Sequence, residues 1–433
     1  MSNINLSQEN VNLSISSVDE NTSTKISNKS KIKNKRKSSK TSKNLSNQLG
    51  FSFDDGDIKT AKEIETNKWL KENKVKLLST NKKAFEQKLS ERFISKNLIH
   101  HYDEKINSTE SEDLGTLTNL DELENFENSE SQSVKIMYEE LKRLQSLPLE
   151  EKIQKTLSVL DEALETFGID ALACCDSGGG KDSAVLSHII RHHWKKDILH
   201  IFSNTTCEFP ETLQFIHEKA IEENVDIVMV SPEISFNQVV KTYGFPMISK
   251  NISKSIRIHN NTHSSDTKWK IEDYMSRREK KWVGALGCPF SDRCCDKLKK
   301  EPMRKFQQAF GIKCAIVGTT AAESRQRTKE WIATGCNSFN GTNPKSMPLS
   351  IWTEKDIWEY INKYNVKLSK IYSMNYERNG CLYCGFGVHL QKGEKNRIKM
   401  LKDTHPHAYG VFLRNYAKYF DMMQDLGYSG FEY

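Results

Sequence analysis

The chain has 433 residues, 36% of them hydrophobic, and a formal net charge of +7, which suffices for one or two hydrophobic cores. No stretch approaches the roughly 18 uninterrupted apolar residues of a membrane helix, so neither a membrane-spanning protein nor a membrane partner is expected. The first residues show neither the basic nor the apolar region of a secretory signal, which favours a cytoplasmic protein. Its ten cysteines are then expected to be reduced and available for metal binding or redox chemistry.

The first third of the chain differs in composition from the rest. Residues 1–50 are rich in Ser, Asn and Lys and are predicted to form a disordered basic tail. Residues 51–107 have a weakly apolar helical pattern, which predicts a helical arm that packs only on a partner. Residues 108–132 carry eight Asp or Glu and no Lys or Arg, which indicates an acidic linker.

From residue 134 onward, short apolar runs alternate with helical patterns. Four strands are predicted, at 169–175, 198–203, 226–231 and 314–319. Such alternation is typical of an α/β fold with a doubly wound, mostly parallel sheet and helices on both faces. The main folded domain is predicted at 134–404, and a C-terminal helical tail at 405–433.

A glycine-rich segment joins the first predicted strand to a helical pattern, with the sequence CCDSGGGKDSAVL at 174–186. A loop that leaves a strand and enters a helix offers free backbone N–H groups and the positive end of the helix dipole, which suits a phosphate group. Lys181 can neutralise phosphate charge, and Asp182 can hold Mg²⁺ or a water molecule. The predicted nucleotide-binding residues of the loop are Ser177, Gly178, Gly179, Gly180, Lys181, Asp182 and Ser183. A flexible turn is the alternative interpretation.

The loop is not a Walker A motif, which needs Gly at the place of Cys175 and Ser or Thr at that of Asp182. It resembles the Ser-Gly-Gly-x-Asp-Ser loop of the adenine nucleotide α-hydrolase superfamily, the PP-loop proteins, which cleave ATP between the α and β phosphates. When the two are aligned on Gly-Gly-Lys-Asp-Ser, the first Ser of that motif falls on Gly178, and Ser177 lies one place early. The resemblance implies a Rossmann-like fold that binds ATP with Mg²⁺.

Further segments resemble the phosphoadenosine phosphosulfate (PAPS) reductase family within that superfamily. They include SNTTCEFPETLQFI at 203–216, GTTAAESRQR at 318–327 and GCLYC at 380–384, in the family's order, and the resemblance covers about 157–401. It implies that Glu323, Arg325 and Arg327 contribute to nucleotide binding, and that Lys181, Asp182 and Arg327 act in catalysis. Arginine forks suit phosphate recognition, but ordinary ion pairs are the alternative for both arginines.

Two cysteine pairs lie far apart in the sequence: Cys294 and Cys295 are adjacent, and Cys381 and Cys384 form a Cys-x-x-Cys motif. Four thiolates of this kind can hold iron or zinc. In the PAPS reductase family, a tandem Cys followed by Cys-x-x-Cys marks the members with a 4Fe-4S cluster. The resemblance therefore implies a C-terminal iron–sulfur subregion with these four cysteines as ligands and Cys288 as a candidate substitute. A zinc site and uncoordinated thiols are the alternatives.

Basic residues surround the tandem cysteines in the sequence. Arg293, Lys297 and Lys299 are expected to offset the negative charge of a metal cluster held by thiolates. Cys174, Cys175 and Cys314 fall in predicted strands, where a cysteine acts as a small hydrophobic residue.

The resemblance implies an ATP-using sulfur-transfer enzyme, in which an acceptor attacks the α phosphate, pyrophosphate leaves, and sulfur then displaces AMP. In this interpretation the chain is similar to the ATP pyrophosphatase component of DNA phosphorothioation systems. The expected partners are therefore a sulfur donor, such as a cysteine desulfurase, and a nucleic-acid acceptor. The chain is also compatible with an oligomer. One alternative is a true adenylylsulfate or PAPS reductase, although that enzyme's Glu-Cys-Gly-Leu-His motif has no counterpart after Cys384. A second is a nucleic-acid-binding subunit without turnover.

Overall fold

The structure is a computed structural model, which describes residues 61–94, 126, 131–176, 178–391 and 393–433. These residues all belong to one of the chain's two units, at 59–433. The predicted basic tail, most of the predicted acidic linker and Ser177 lie outside the described residues. No described helix combines the length and the apolar composition that crossing a membrane requires.

The strands of the described residues form one large sheet and one small one. In chain order they are β1 (Lys76–Leu78), β2 (Leu172–Asp176), β3 (Leu199–Ser203), β4 (Ile227–Val230), β5 (Met247–Ile248), β6 (Cys314–Val317), β7 (Asn337–Ser338), β8 (Lys345–Ser346) and β9 (Gly385–Phe386). The large sheet has seven strands in the order β1-β4-β3-β2-β6-β8-β7. Its inner neighbours are parallel, whereas the edge strands β1 and β7 are antiparallel to β4 and β8. Strands β5 and β9 form a separate parallel pair.

Helices flank the sheet and extend the fold at its C-terminal side. They are α1 (Ala61–Glu72), α2 (Lys82–Arg92), α3 (Gln132–Gln145), α4 (Leu149–Phe167), α5 (Lys181–Ile189), α6 (Pro210–Glu222), α7 (Phe236–Tyr243), α8 (Lys250–Asn261), α9 (Ser265–Arg277), α10 (Arg293–Cys295), α11 (Glu301–Ala309), α12 (Arg325–Thr334), α13 (Glu354–Tyr364), α14 (Arg397–Thr404), α15 (Pro406–Asn415) and α16 (Ala417–Asp425). π-helical turns follow α5 at Ile190–Trp194 and α10 at Asp296–Lys300.

The predicted α/β class, with a doubly wound and mostly parallel sheet, is confirmed. Strands β2, β3, β4 and β6 fall within the four predicted apolar runs, apart from one residue at the end of β2. All of β3 and β4 is buried. Strands that are covered by helices on both faces need apolar residues on both sides, which explains their continuous apolar runs.

The structure differs from the expectation of a separate helical arm at 51–107. Within its described part, β1 pairs with β4 and so extends the large sheet. Trp69 and Phe85 are buried in one core cluster with Phe306 and Phe310. The apolar pattern of this segment is weak because only one side of each short helix is buried, and such a pattern does not reveal whether the covering surface belongs to the same chain.

The segment predicted as a C-terminal tail packs into the same core as the cysteine motifs. Phe412, Phe420 and Phe431 are fully buried in the cluster that contains Cys294 and Leu382. Helices α14 and α15, on either side of the predicted boundary at residue 404, therefore belong to one hydrophobic core.

Candidate functional site

The glycine loop turns sharply between β2 and α5, at the carboxyl edge of the parallel sheet. Gly178 and Gly179 have positive φ angles of 73° and 79°. A Cβ atom on Gly178 would lie 2.5 Å from Cγ2 of Thr212, and one on Gly179 would lie 2.6 Å from Cδ1 of Phe215. Both the backbone conformation and the close packing therefore require glycine. Gly180 is the N-cap of α5 and has no side chain to cap the helix, so the positive end of the helix dipole lies at the loop, where it favours an anion.

A buried ion pair next to the glycine loop stabilises it. The backbone N–H of Gly178 donates a hydrogen bond to Oδ1 of Asp176, at 3.0 Å. The other carboxylate oxygen of Asp176 pairs with the ammonium group of Lys219, and Nδ1 of His200 lies 3.9 Å from it. The side chains of all three residues are at most 2% exposed. Burial alone would raise the pKa of Asp176, but the positive charge of Lys219 outweighs it and holds the pKa far below its ordinary value.

Replacing Asp176 by Asn is expected to lower the free energy of unfolding at pH 7 by about 3 kcal/mol, because Lys219 would keep a buried charge without a partner. The double variant Asp176→Asn/Lys219→Met is expected to recover part of this loss. Because the folded-state pKa of Asp176 is depressed, its contribution to stability is complete above its unfolded value of about 4 and is lost as the pH falls further. Urea unfolding of the three proteins between pH 3 and 7 measures both effects, and equal stability of Asp176→Asn and the wild type would contradict the role of the pair.

Three side chains that the sequence analysis did not single out fix the loop through hydrogen bonds. Nδ2 of Asn379 donates to the carbonyl of Gly178 at 2.8 Å, and Thr212 donates its hydroxyl to Oδ1 of the same amide, also at 2.8 Å. The hydroxyl of Tyr372 accepts a hydrogen bond from the backbone N–H of Lys181, at 2.9 Å. Asn379 lies directly before the Gly-Cys-x-x-Cys segment. This position is the only feature of the sequence that could have indicated that Asn379 belongs to the site.

The charged residues of the loop are half-buried. Nζ of Lys181 lies 3.1 Å from Oδ2 of Asp182 and 3.8 Å from Oε1 of Glu354. The side chains of Lys181 and Asp182 are 16% and 32% exposed, so a ligand can reach both. The hydroxyl of Ser183 donates to the carbonyl of Gly180, at 3.0 Å, which closes the first helical turn. An adjacent cation and carboxylate suit the two charges of a magnesium–phosphate group.

The arginines of the Glu-Ser-x-x-Arg segment lie after β6, at the same edge of the sheet. Strand β6 leads to Gly318, where an added Cβ would lie 3.0 Å from the carbonyl oxygen of Asp182. Arg327 lies 3.9 Å from Glu323 and 3.2 Å from Glu330, while Arg325 is exposed at the start of α12. Among the described residues, no hydrogen bond or ion pair joins either arginine to the glycine loop. Their predicted contact with a nucleotide stays a prediction.

The structure brings the two cysteine pairs together. Cys294 and Cys295 lie on α10, and Cys381 and Cys384 lie in the turn before β9. This turn is fixed by backbone hydrogen bonds from Leu382 to the carbonyl of Cys207, at 2.8 Å, and from Gly385 to that of Pro246, at 3.0 Å. No disulfide joins any of the ten cysteines, all of which are described.

The thiols are close enough to shift one another's pKa. The hydrogen bond between Cys294 and Cys295 raises the pKa of Cys294, and nearby Cys384 and Cys381 raise it further. The same hydrogen bond lowers the pKa of Cys295 to about 6, with a contribution from the positive charges of lysines. Burial raises the pKa of Cys381 to about 12. One member of the group is therefore a thiolate at neutral pH, whereas Cys294 and Cys381 remain protonated in the absence of a metal.

Four cysteine thiolates, each able to bind a different iron, are the usual ligands of a 4Fe-4S cluster. Among the described residues, no three His, Cys, Asp or Glu side chains are arranged to hold a metal ion. The cluster and its four ligands therefore stay a prediction. Cys288 is not among the main influences on the pKa of Cys294, Cys295 or Cys381, and its role as a substitute stays a prediction.

Arg293, Lys297 and Lys299 were expected to offset the negative charge of a metal cluster. Of these three, Lys299 lies near the cysteines. Cys381 is the neighbour whose negative charge, when its thiol is ionised, would raise the pKa of Lys299 most. Arg293 instead lies 3.5 Å from Asp296, and Lys297 lies 2.9 Å from Glu301. Lys297 and Lys299 both lie in the π-helical turn Asp296–Lys300. The extra residue per turn changes the face on which a side chain lies, which explains why the two lysines have different neighbours.

Arg397 is a cation near the cysteines that the sequence analysis missed. Its Nε donates to the carbonyl of Cys384, at 3.1 Å, and a second nitrogen donates to the carbonyl of Phe386. Burial lowers the pKa of Arg397 to about 10, against the effect of negative charge at Cys384. It remains charged at neutral pH beside the Cys-x-x-Cys turn.

Comparisons with known proteins show which family the chain resembles. The model of the phosphoadenosine phosphosulfate reductase domain matches residues 173–254 and 246–385. An uncharacterized protein of Methanocaldococcus jannaschii is 25% identical over 224 residues, which are 51% of this chain and 37% of that protein. The adenosine 5'-phosphosulfate reductase of Anoxybacillus flavithermus is 23% identical over 252 residues, which are 58% of this chain and 88% of that enzyme.

A third relative is named for a different reaction. Subunit 2 of the sulfate adenylyltransferase of Mycolicibacterium gilvum is 28% identical over 216 residues, which are 47% of this chain and 60% of that subunit. The chain thus spans 37% to 88% of the length of these three relatives. The family match includes the glycine loop, the tandem cysteines and the Cys-x-x-Cys turn. The chain carries a phosphoadenosine phosphosulfate reductase domain and belongs to the phosphoadenosine phosphosulfate reductase family.

Proposed function

We propose that the chain is a PP-loop ATP pyrophosphatase that adenylylates an acceptor for sulfur transfer and holds a 4Fe-4S cluster on Cys294, Cys295, Cys381 and Cys384. The observation that supports this most is the position of Asn379. Its side chain donates to the carbonyl of Gly178 in the glycine loop, and its backbone lies two residues before Cys381. Asn379 would therefore connect a nucleotide on the loop to an iron–sulfur cluster on the cysteines.

The loop offers what an in-line displacement at phosphorus needs, which is positioning and charge neutralisation. Lys181 would neutralise charge on the phosphates, and Asp182 would hold Mg²⁺ between them. The acceptor oxygen would form a bond to the α phosphorus as the bond to the β phosphate oxygen breaks, so that pyrophosphate leaves. The name of the sulfate adenylyltransferase relative supports the use of ATP at such a loop.

The cysteine group would serve the second half of the reaction. When bound by all four cysteines, a 4Fe-4S cluster would supply or accept electrons for redox chemistry. Thr205 lies close to this group, because its hydroxyl is 3.6 Å from the sulfur of Cys381. Lys299 and Arg397 would offset the negative charge, which favours retention of an anionic cluster in a partly buried position. We expect the protein to act in the cytoplasm with a separate sulfur donor, such as a cysteine desulfurase.

Replacing Lys299 by Met is expected to lower the reduction potential of the loaded protein by tens of millivolts, because removal of a nearby positive charge disfavours the reduced, more negative state. Titration monitored by electron paramagnetic resonance measures the shift. Lys297→Met is the matched control, since that lysine lies 2.9 Å from Glu301 and is expected to leave the potential unchanged. Equal shifts in both variants would contradict a specific role of Lys299.

A second candidate function is reduction of adenylylsulfate, which the name of the Anoxybacillus flavithermus relative favours. The two candidates differ in the bond that breaks: the first releases pyrophosphate from ATP, and the second releases sulfite from adenylylsulfate. The test incubates anaerobically purified protein with ATP labelled in the γ phosphate, which leaves in pyrophosphate, together with Mg²⁺ and candidate nucleic-acid or small-molecule acceptors. Acceptor-dependent pyrophosphate release supports the proposal, whereas thioredoxin-dependent sulfite release from adenylylsulfate, without ATP turnover, would replace it by the reductase.

A further inference from the structure

A strongly basic surface lies on helices α8 and α9 and on the residues that follow them. Between residues 250 and 281 the chain has nine Lys or Arg and four Asp or Glu. Three of the acidic side chains are already paired within the segment. They are Asp266 with Lys270, Glu272 with His259, and Asp273 with Arg277. Among the described residues, Lys250, Lys268 and Lys280 have no acidic partner within ion-pair distance.

An exposed tryptophan lies on helix α9, within this basic segment. All seven tryptophans of the chain are described, and Trp269 is the one that is exposed, with 61% of its surface accessible. Its neighbours in the sequence are Lys268 and Lys270, while Ile271 and Met275 on the same helix are buried in the core. Leaving a large aromatic ring in water forgoes the stabilisation that its burial would give. The ring is therefore not explained by packing within the described residues.

An ion pair and a hydrogen bond join helix α8 to the segment that leads to the tandem cysteines. Arg257 on α8 forms an ion pair with Asp292, with 2.8 Å between Nε and Oδ1. Asn260 donates its side-chain amide to the carbonyl of Cys288, also at 2.8 Å. A molecule bound along α8 and α9 would thus lie beside the segment that leads to the tandem cysteines.

We propose that this surface binds a single-stranded nucleic acid, with a base stacked on Trp269 and phosphates beside Lys268, Lys280 and Lys281. Aromatic rings that alternate with lysines are the usual means of holding single strands, because each base presents a flat face and each phosphate a negative charge. An acidic peptide would use the lysines but not the ring. Bases within a duplex are already stacked on one another, so a double strand would not use the ring either. The binding does not depend on the ATP reaction, so it goes beyond the proposed function.

The experiment measures the affinity of the full-length chain for a fluorescently labelled single strand of about 16 nucleotides, by anisotropy, at several salt concentrations without ATP. Trp269→Ala is expected to weaken binding by about 5- to 100-fold, and Trp269→Phe by much less, because the smaller ring still stacks. Lys268→Gln/Lys280→Gln is expected to reduce the dependence of affinity on salt. Photo-crosslinked nucleotides are expected on the peptide that contains Trp269.

Lys82→Gln/Lys83→Gln, on α2, is the control with the same change in net charge, and it is expected to leave crosslinking to Trp269 unchanged. Residues 29–43 are basic in every variant and so contribute equally to all affinities. Because Trp269 is exposed, its replacement is expected to preserve the fold, which circular dichroism verifies. Equal affinity of Trp269→Ala and the wild type, equal binding of duplex and single strand, or no binding at low salt would each overturn the proposal. Pyrophosphate release from ATP with small-molecule acceptors, assayed separately without nucleic acid, reports on the proposed function alone.

Discussion

The variant Asp182→Asn is expected to lower the rate of pyrophosphate release from ATP by at least about 100-fold, as is typical when a group that stabilises transition-state charge is removed. Asp182 lies at the start of α5, directly after the glycine turn, and its side chain is 32% exposed. An amide keeps the shape of the side chain but loses the negative charge that would bind Mg²⁺. Lys181→Met is expected to have an effect of similar size, because it removes the cation that faces the phosphates.

Glu354→Gln provides a matched control for both variants. Glu354 also lies near the ammonium group of Lys181, at 3.8 Å, but its side chain is 72% exposed and lies outside the loop. Solvent screens such an exposed pair, so the rate is expected to change less than about 3-fold. Pyrophosphate release from Asp182→Asn at the wild-type rate would remove the loop from the mechanism. Thermal unfolding of each variant separates a chemical effect from a loss of fold.

Replacing Cys295 or Cys381 by Ser is expected to abolish stable iron binding. Anaerobically purified wild-type protein is expected to be brown and to contain about four irons per chain. Serine oxygen is a harder and more basic ligand than thiolate and holds iron less well in such a group. Both substitutions remove one sulfur from the shared site, since Cys295 lies on α10 and Cys381 in the facing turn. Iron and sulfide analysis, with the visible absorption spectrum, measures the loss.

Two other cysteines serve as controls with the same chemical change. Cys336 lies directly before β7 in the large sheet, so Cys336→Ser is expected to keep its full iron content. Cys288→Ser tests the candidate substitute ligand, and full iron content there would show that the four other cysteines suffice. Colourless wild-type protein that contains zinc would contradict the proposed cluster, although the four thiols would remain a metal site.

The local patterns of the sequence predicted much of the fold and part of the site. Strands β3 and β4 were predicted to within two residues, because a strand that is buried on both faces must be apolar throughout. The glycine loop was recognised because Gly178 and Gly179 adopt a conformation that other residues rarely adopt. The convergence of the two cysteine pairs was predicted from the resemblance, and the structure brings them together through β9 and the turn before it.

Other features depend on contacts between segments that are distant in the sequence. Asp176 and Lys219 are ordinary charged residues in the sequence, and only their joint burial behind the loop makes them a supporting pair. Strand β1 has three residues, so it shows no period until it pairs with β4. Arg293 and Lys297 looked equivalent to Lys299 in the sequence, but of these three only Lys299 lies close enough to the cysteines for their charge to affect its pKa.

The sequence by itself determined the α/β class and the glycine-rich connection between β2 and α5, because both depend on the identity and spacing of neighbouring residues. The four-cysteine set came from the family resemblance and stays a prediction. The tertiary structure alone decided that Asn379 joins the loop to the Cys-x-x-Cys turn, that the C-terminal helices complete the core around the cysteines, and that Trp269 faces solvent. The physical reason is that burial and hydrogen-bond partners are properties of the packed chain. A single side chain acquires them only when segments far apart in the sequence meet.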